Sequence, residues 1–72
     1  MAEEEKVIET LKKIALDVSR SISEREKVID ALSVFGERAL PALAEIADNR
    51  AIALSLRERA IARLKEIKEK RL

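Results

Sequence analysis

The chain has 72 residues, 47% of them hydrophobic and 40% charged, with a formal net charge of +1. It holds no Cys and no His, which excludes disulfide scaffolds, zinc modules, thiol or imidazole catalysis and haem ligation through either residue. The remainder is five Ser, one Thr, one Asn, one Gly and one Pro, too few turn formers for a many-stranded protein, so the expected fold class is all-α within a single domain, 1–72.

The first element is a helix near 3–16. Val7, Ile8, Leu11, Ile14, Ala15 and Val18 recur at helical spacing, and Glu3–Glu5 stand at its N-terminus, where the macrodipole favours acids. A short link, 17–22, leads to a second helix near 24–35. Its start is read from Ser23-Glu24-Arg25-Glu26, a capping box in which the Ser23 hydroxyl accepts from the backbone three residues on and Glu26 reaches back. Its end is read from Gly36, a residue suited to the left-handed position after a helix.

The third helix is expected near 38–48, carrying Leu40, Leu43, Ile46 and Ala47, with Pro41 kinking or delaying its start. A second Ser-x-x-Glu, Ser55 to Glu58, opens a fourth helix near 56–70. Ile22 and Leu54, just before the two boxes, are expected to turn inward. Leu16, Val34 and Leu72 fall off the main apolar seams.

These elements fall into two copies of one unit. Displacing the chain by 32 residues aligns 7–35 with 39–67 without a gap, leaving a basic tail at 68–72. Leu11/Leu43, Ile14/Ile46, Ala15/Ala47, Ser23/Ser55, Arg25/Arg57, Glu26/Glu58, Ile29/Ile61 and Leu32/Leu64 are identical, and Asp17 faces Asn49. The expected architecture is two tandem antiparallel helix pairs, either a solenoid fragment or a closed four-helix array.

The segment Asp30-Ala-Leu-Ser-Val-Phe-Gly-Glu-Arg-Ala-Leu-Pro-Ala-Leu43 resembles the junction A-L-G-x-I-G-D-E-R-A-V-x-P-L between HEAT-like repeats of the phycobilisome-lyase type. Leu56-Arg-Glu-Arg-Ala-Ile-Ala-Arg-Leu-Lys-Glu-Ile67 is similar to that family's second-helix pattern, V-R-x-x-A-x-x-A-L-x-x-I. The resemblance covers about 7–67 and implies a scaffold or adaptor that binds proteins. It also implies a polar ladder pairing a loop Asp with an Arg early in the second helix. Arg25 and Arg57 hold the Arg position, with Asp17 and Asp48 or Asn49 as partners. Pro41 sits one residue closer to the Arg-Ala pair than in the pattern.

Chemistry beyond packing is sparse. Without His, Cys or Tyr, the available acids, bases and nucleophiles are carboxylates, Lys, Ser and one Thr, and capping accounts for Ser23 and Ser55. Glu3–Glu5 lack the spacing of a cation loop. The expectation is a non-enzyme without a cofactor or metal, acting as a protein–protein interaction or scaffold domain and open to self-association. A nucleic-acid module is the alternative. Segment 56–72 carries net +4, against −2 for 1–36 and −1 for 37–55, and Arg59, Arg63 and Lys70 form one stripe able to follow phosphates. A designed or excised repeat fragment with no function of its own is the third reading. In an up-down array, acidic Glu3–Glu5 and basic Lys65–Arg71 should face each other at one end, within one chain or between two. No apolar run approaches the ~18 residues of a membrane span. The start, Met1 to Glu5, is acidic where a signal peptide is basic, so the expected setting is cytoplasmic.

Overall fold

The structure, a computed structural model, describes residues 2–70. It is all-helical: α1 (Ala2–Leu16), α2 (Ile22–Ser33), a 3-10 turn (Gly36–Ala39), α3 (Leu40–Asp48) and α4 (Leu54–Lys70). Helix α1 packs on α2 and α3 on α4, and the two hairpins meet through α2 against α4 and α1 against α3. Helices α1 and α4 therefore take opposite corners of a two-layer array. The radius of gyration, 11.3 Å, matches the ~11 Å of a well-packed chain of this length.

The core is aliphatic. Ile29, Leu32, Leu43, Ile46 and Leu56 are its largest fully buried side chains, contributed by α2, α3 and α4. Leu16 packs partly buried against this core, while Val34 is exposed. Helix α4 outlasts the core: Ile67 is its last buried residue, and Lys68–Lys70 are exposed. Arg71 and Leu72 of the basic tail lie outside the described residues.

Both helix starts differ from the sequence reading by two residues. The cap of α2 is Ser21, extended at φ −66° and ψ 153°, whose hydroxyl accepts from the Glu24 N–H at 3.1 Å. Ser21-Ile22-Ser23-Glu24 is itself a Ser-x-x-Glu frame, two residues upstream of the one at Ser23. Glu24 then pairs with Arg20 at 2.7 Å rather than reaching back to the cap. Ser23 and Glu26 lie inside the helix and form no box.

At α4 the corresponding position is Ala53, whose carbonyl accepts from Leu56 and Arg57 at 3.1 and 3.2 Å. Ala53 has no side-chain oxygen to cap with. Ser55 and Glu58 sit on the exposed surface of the first turns, and the Ser55 hydroxyl makes no hydrogen bond among the described residues. The earlier starts place Ile22 and Leu54 at the first helical position instead of inward. They are 41% and 57% exposed.

Gly36 follows α2 with φ 63°, the left-handed conformation that glycine adopts without a Cβ penalty. The chain then takes a 3-10 turn, and the Leu40 N–H closes it onto the Glu37 carbonyl before α3 begins. Pro41 stands in the first turn of α3, where a missing N–H costs nothing. The helix is delayed to Leu40, not kinked.

Candidate interaction surface

The basic stripe of α4 does not face solvent as a free set. Asp30 of α2 lies between its two arginines. The Arg59 Nε and Nη2 donate to the two Asp30 oxygens at 2.9 and 2.6 Å, and the Arg63 Nε donates to Asp30 Oδ1 at 2.9 Å. Arg63 also holds Glu66 at 3.0 Å, and Glu26 lies 3.9 Å from Arg59. The fork of Arg59 fits the carboxylate bidentately, the strongest common geometry for such a pair.

The Arg59 hydrogen bond, then that of Arg63, holds the Asp30 carboxyl below the ordinary aspartate range despite its partial burial. Both guanidiniums are pushed above their usual value, chiefly by the hydrogen bond to Asp30. Of the three candidate contact residues, only Lys70 is exposed without an ion pair among the described residues. The clamp fastens hairpin to hairpin, and a phosphate would have to displace Asp30 to use it.

The expected Asp–Arg ladder does not form. Asp17 accepts from the Ser19 backbone and hydroxyl at 3.0 and 2.6 Å and pairs with Arg20 at 3.4 Å. These bonds, the Ser19 hydroxyl first, lower the Asp17 pKa. Arg25 instead donates from Nε to the Ala15 carbonyl at 2.8 Å, and Arg57 to the Ile52 carbonyl at 3.3 Å. Asp48 has no ion pair among the described residues. The Asp17 and Asn49 side chains are instead used within their own turns.

The two turns nevertheless share four hydrogen bonds at a displacement of 32 residues. Asp17 N–H to Ile14 corresponds to Asn49 N–H to Ile46, at 3.1 and 3.2 Å. Arg20 N–H to Asp17 corresponds to Ile52 N–H to Asn49, at 3.1 and 3.4 Å. Arg25 N–H to Ser21 corresponds to Arg57 N–H to Ala53, at 3.1 and 3.2 Å. The Asp17 side chain accepts from the Ser19 N–H as that of Asn49 accepts from the Ala51 N–H, at 3.0 and 2.9 Å.

Charges also tie α1 to the second hairpin, but not as expected. Glu4 pairs with Arg38, and Lys12 bridges Glu9 and Glu45, each at 3.2 Å. No ion pair joins Glu3–Glu5 to Lys65–Lys70 among the described residues, because α1 and α4 are diagonal; Arg71 lies outside them. The Lys12 and Arg38 pairs cross an open groove of about 490 Å³, lined also by Ile8, Pro41 and Ala42. Among the described residues no group of acids could hold a metal ion, and no helix is long and apolar enough to cross a membrane.

The outer sides of the array are less satisfied. Ile29 on α2 is fully buried, whereas Ile61, the same position of α4, is 44% exposed. Ile61 shares its surface with Glu58, Ala62 and Lys65. At the opposite end, Val7 is exposed beside Lys6, Thr10 and Leu11 on α1. No family model, curated protein or solved structure matches this chain.

Proposed function

We propose that the chain is a small helical-repeat domain that binds a protein surface through the outer faces of its first and last helices, and that it works without a reaction, in a reducing, cytoplasmic setting. The observation that carries this is Ile61. Ile29 is fully buried on α2, which packs against both α1 and α4, whereas Ile61, at the matching position of the end helix α4, is 44% exposed. An apolar position built to be covered by a helix is left open at the end of the array. The four paired turn bonds and the HEAT-like resemblance of 30–43 and 56–67 support the repeat character. A repeat of this kind buries its faces only by stacking against neighbours.

The nucleic-acid reading loses its residues to Asp30, since a phosphate-following stripe needs unpaired arginines. A photo-crosslinking residue placed at 61, or at 7, tests the interaction reading in the source cell. Discrete protein adducts are expected from both positions and none from position 50, on the exposed loop. Adducts absent from both 61 and 7 would sink it.

A further inference from the structure

We propose that the partner of these end faces is a second copy of the chain, stacked head to tail. The outer side of α3 and α4 in one copy receives the outer side of α1 and α2 in the next. This rests on the interaction reading above and names its partner.

The joint inside the chain supplies the template. It sets the first hairpin against the second, and several of its cross-joint charged side chains have counterparts 32 residues away on the outer faces. Within the chain Glu26 faces Arg59 at 3.9 Å. Between copies the corresponding pair is Glu58 of one and Lys27 of the next. Both are exposed, and neither has an ion-pair partner among the described residues. The charges are opposite and of the same sense as in the internal pair. Ile61 takes the place of Ile29 and is covered as Ile29 is.

The remaining positions accept a copy without a clash of charge. Where Asp30 faces Arg59 and Arg63 inside the chain, Ala62 of one copy faces Lys27 and Ala31 of the next. Where Lys12 faces Glu45, Ala44 faces Lys13. No like charges meet at these positions, and no carboxylate is buried without a partner. The clamp itself is not repeated, so the joint between copies is weaker than the one inside the chain. A head-to-tail joint of this kind is heterologous and extends as an open row, not a closed dimer.

Two single variants, each blocking one face, test this on the purified chain by sedimentation. The wild type is expected to gain mass continuously as its concentration rises to about 1 mM. Ile61→Arg blocks the α4 face and Lys27→Glu sets two acids together, so each alone should associate at least about tenfold more weakly. Both positions are exposed, and circular dichroism checks that each variant stays folded. Mixed together, the two variants should give a discrete complex of two chains. The Ile61→Arg chain keeps an intact Lys27 face, and the Lys27→Glu chain keeps an intact Ile61 face. A strictly monomeric wild type overturns the proposal, and so does undiminished self-association of Lys27→Glu, the mark of a two-fold pairing of α4 faces. Crosslinks from position 61 to a different protein, with a monomeric purified chain, overturn it while leaving the interaction reading standing.

Discussion

Arg25 is the one polar side chain buried among the described residues, 4% exposed, and no carboxylate accompanies it. Its partner is the end of a helix. The Ala15 carbonyl belongs to the last turn of α1, where carbonyls lack intrahelical donors and the macrodipole is negative, so a guanidinium Nε at 2.8 Å satisfies both. One Nη2 remains without a partner, a cost accepted for that cap. The HEAT-like resemblance singles out Arg25 and implies an aspartate partner, and only the fold brings the Ala15 carbonyl within reach. The cap of α2 shows the same limit. Two overlapping Ser-x-x-Glu frames, at Ser21 and Ser23, are equal as motifs, and the backbone conformation decides for Ser21. Removing its hydroxyl by Ser21→Ala should therefore cost ~0.5–2 kcal/mol in urea denaturation. Ser23→Ala, inside the helix and exposed, should stay within about 0.5 kcal/mol. A larger loss for Ser23→Ala than for Ser21→Ala would return the cap to Ser23.

At the scale of elements, four helices and their order were legible because periodicity, Gly36 and Pro41 are local signals. What joins the hairpins was not. Asp30 attracts no notice on α2 alone, and it becomes the hub of a clamp only once α2 and α4 are placed side by side. A hint existed, since Arg59 and Arg63 are four apart and so lie on one face able to share a single carboxylate. The clamp makes stability depend on pH. The Asp30 pKa is lowered in the folded chain, so its contribution is complete above the ordinary aspartate value, ~3.9, and is lost as pH falls from there through the lowered folded value. Asp30→Asn should lower stability by about 1–2 kcal/mol near pH 7, a modest figure because the side chains are 31–39% exposed. Its disadvantage should then shrink as the medium is acidified below about pH 4. Denaturation of both proteins across that range checks it, and parallel curves would mean the clamp contributes nothing through its charge.

For the whole molecule, a displacement of 32 residues brings identical residues together, but the sequence does not say which member of each pair is covered. Identical residues at these matched positions have different environments. Leu43 is fully buried and Leu11 partly so; Ile29 is buried and Ile61 is open. The difference at α2 and α4 matters energetically in a domain this small, whose total stability is expected to be only ~4–11 kcal/mol. Ile29→Ala removes side-chain atoms from a fully buried position of α2 and should cost ~2–5 kcal/mol, a large share of that total. Ile61→Ala removes the same atoms from a surface already in contact with water and should cost less than about 1 kcal/mol in dilute solution. Dilution matters because anything that binds the folded state raises its apparent stability. If copies stack, the wild type gains stability as its concentration rises and the Ile61→Ala chain gains less. Measured melting temperatures at two concentrations therefore separate the residue's role inside one chain from its role between chains. An Ile61→Ala loss as large as that of Ile29→Ala in dilute solution would place Ile61 in the core of the single chain, and the open end face would not exist.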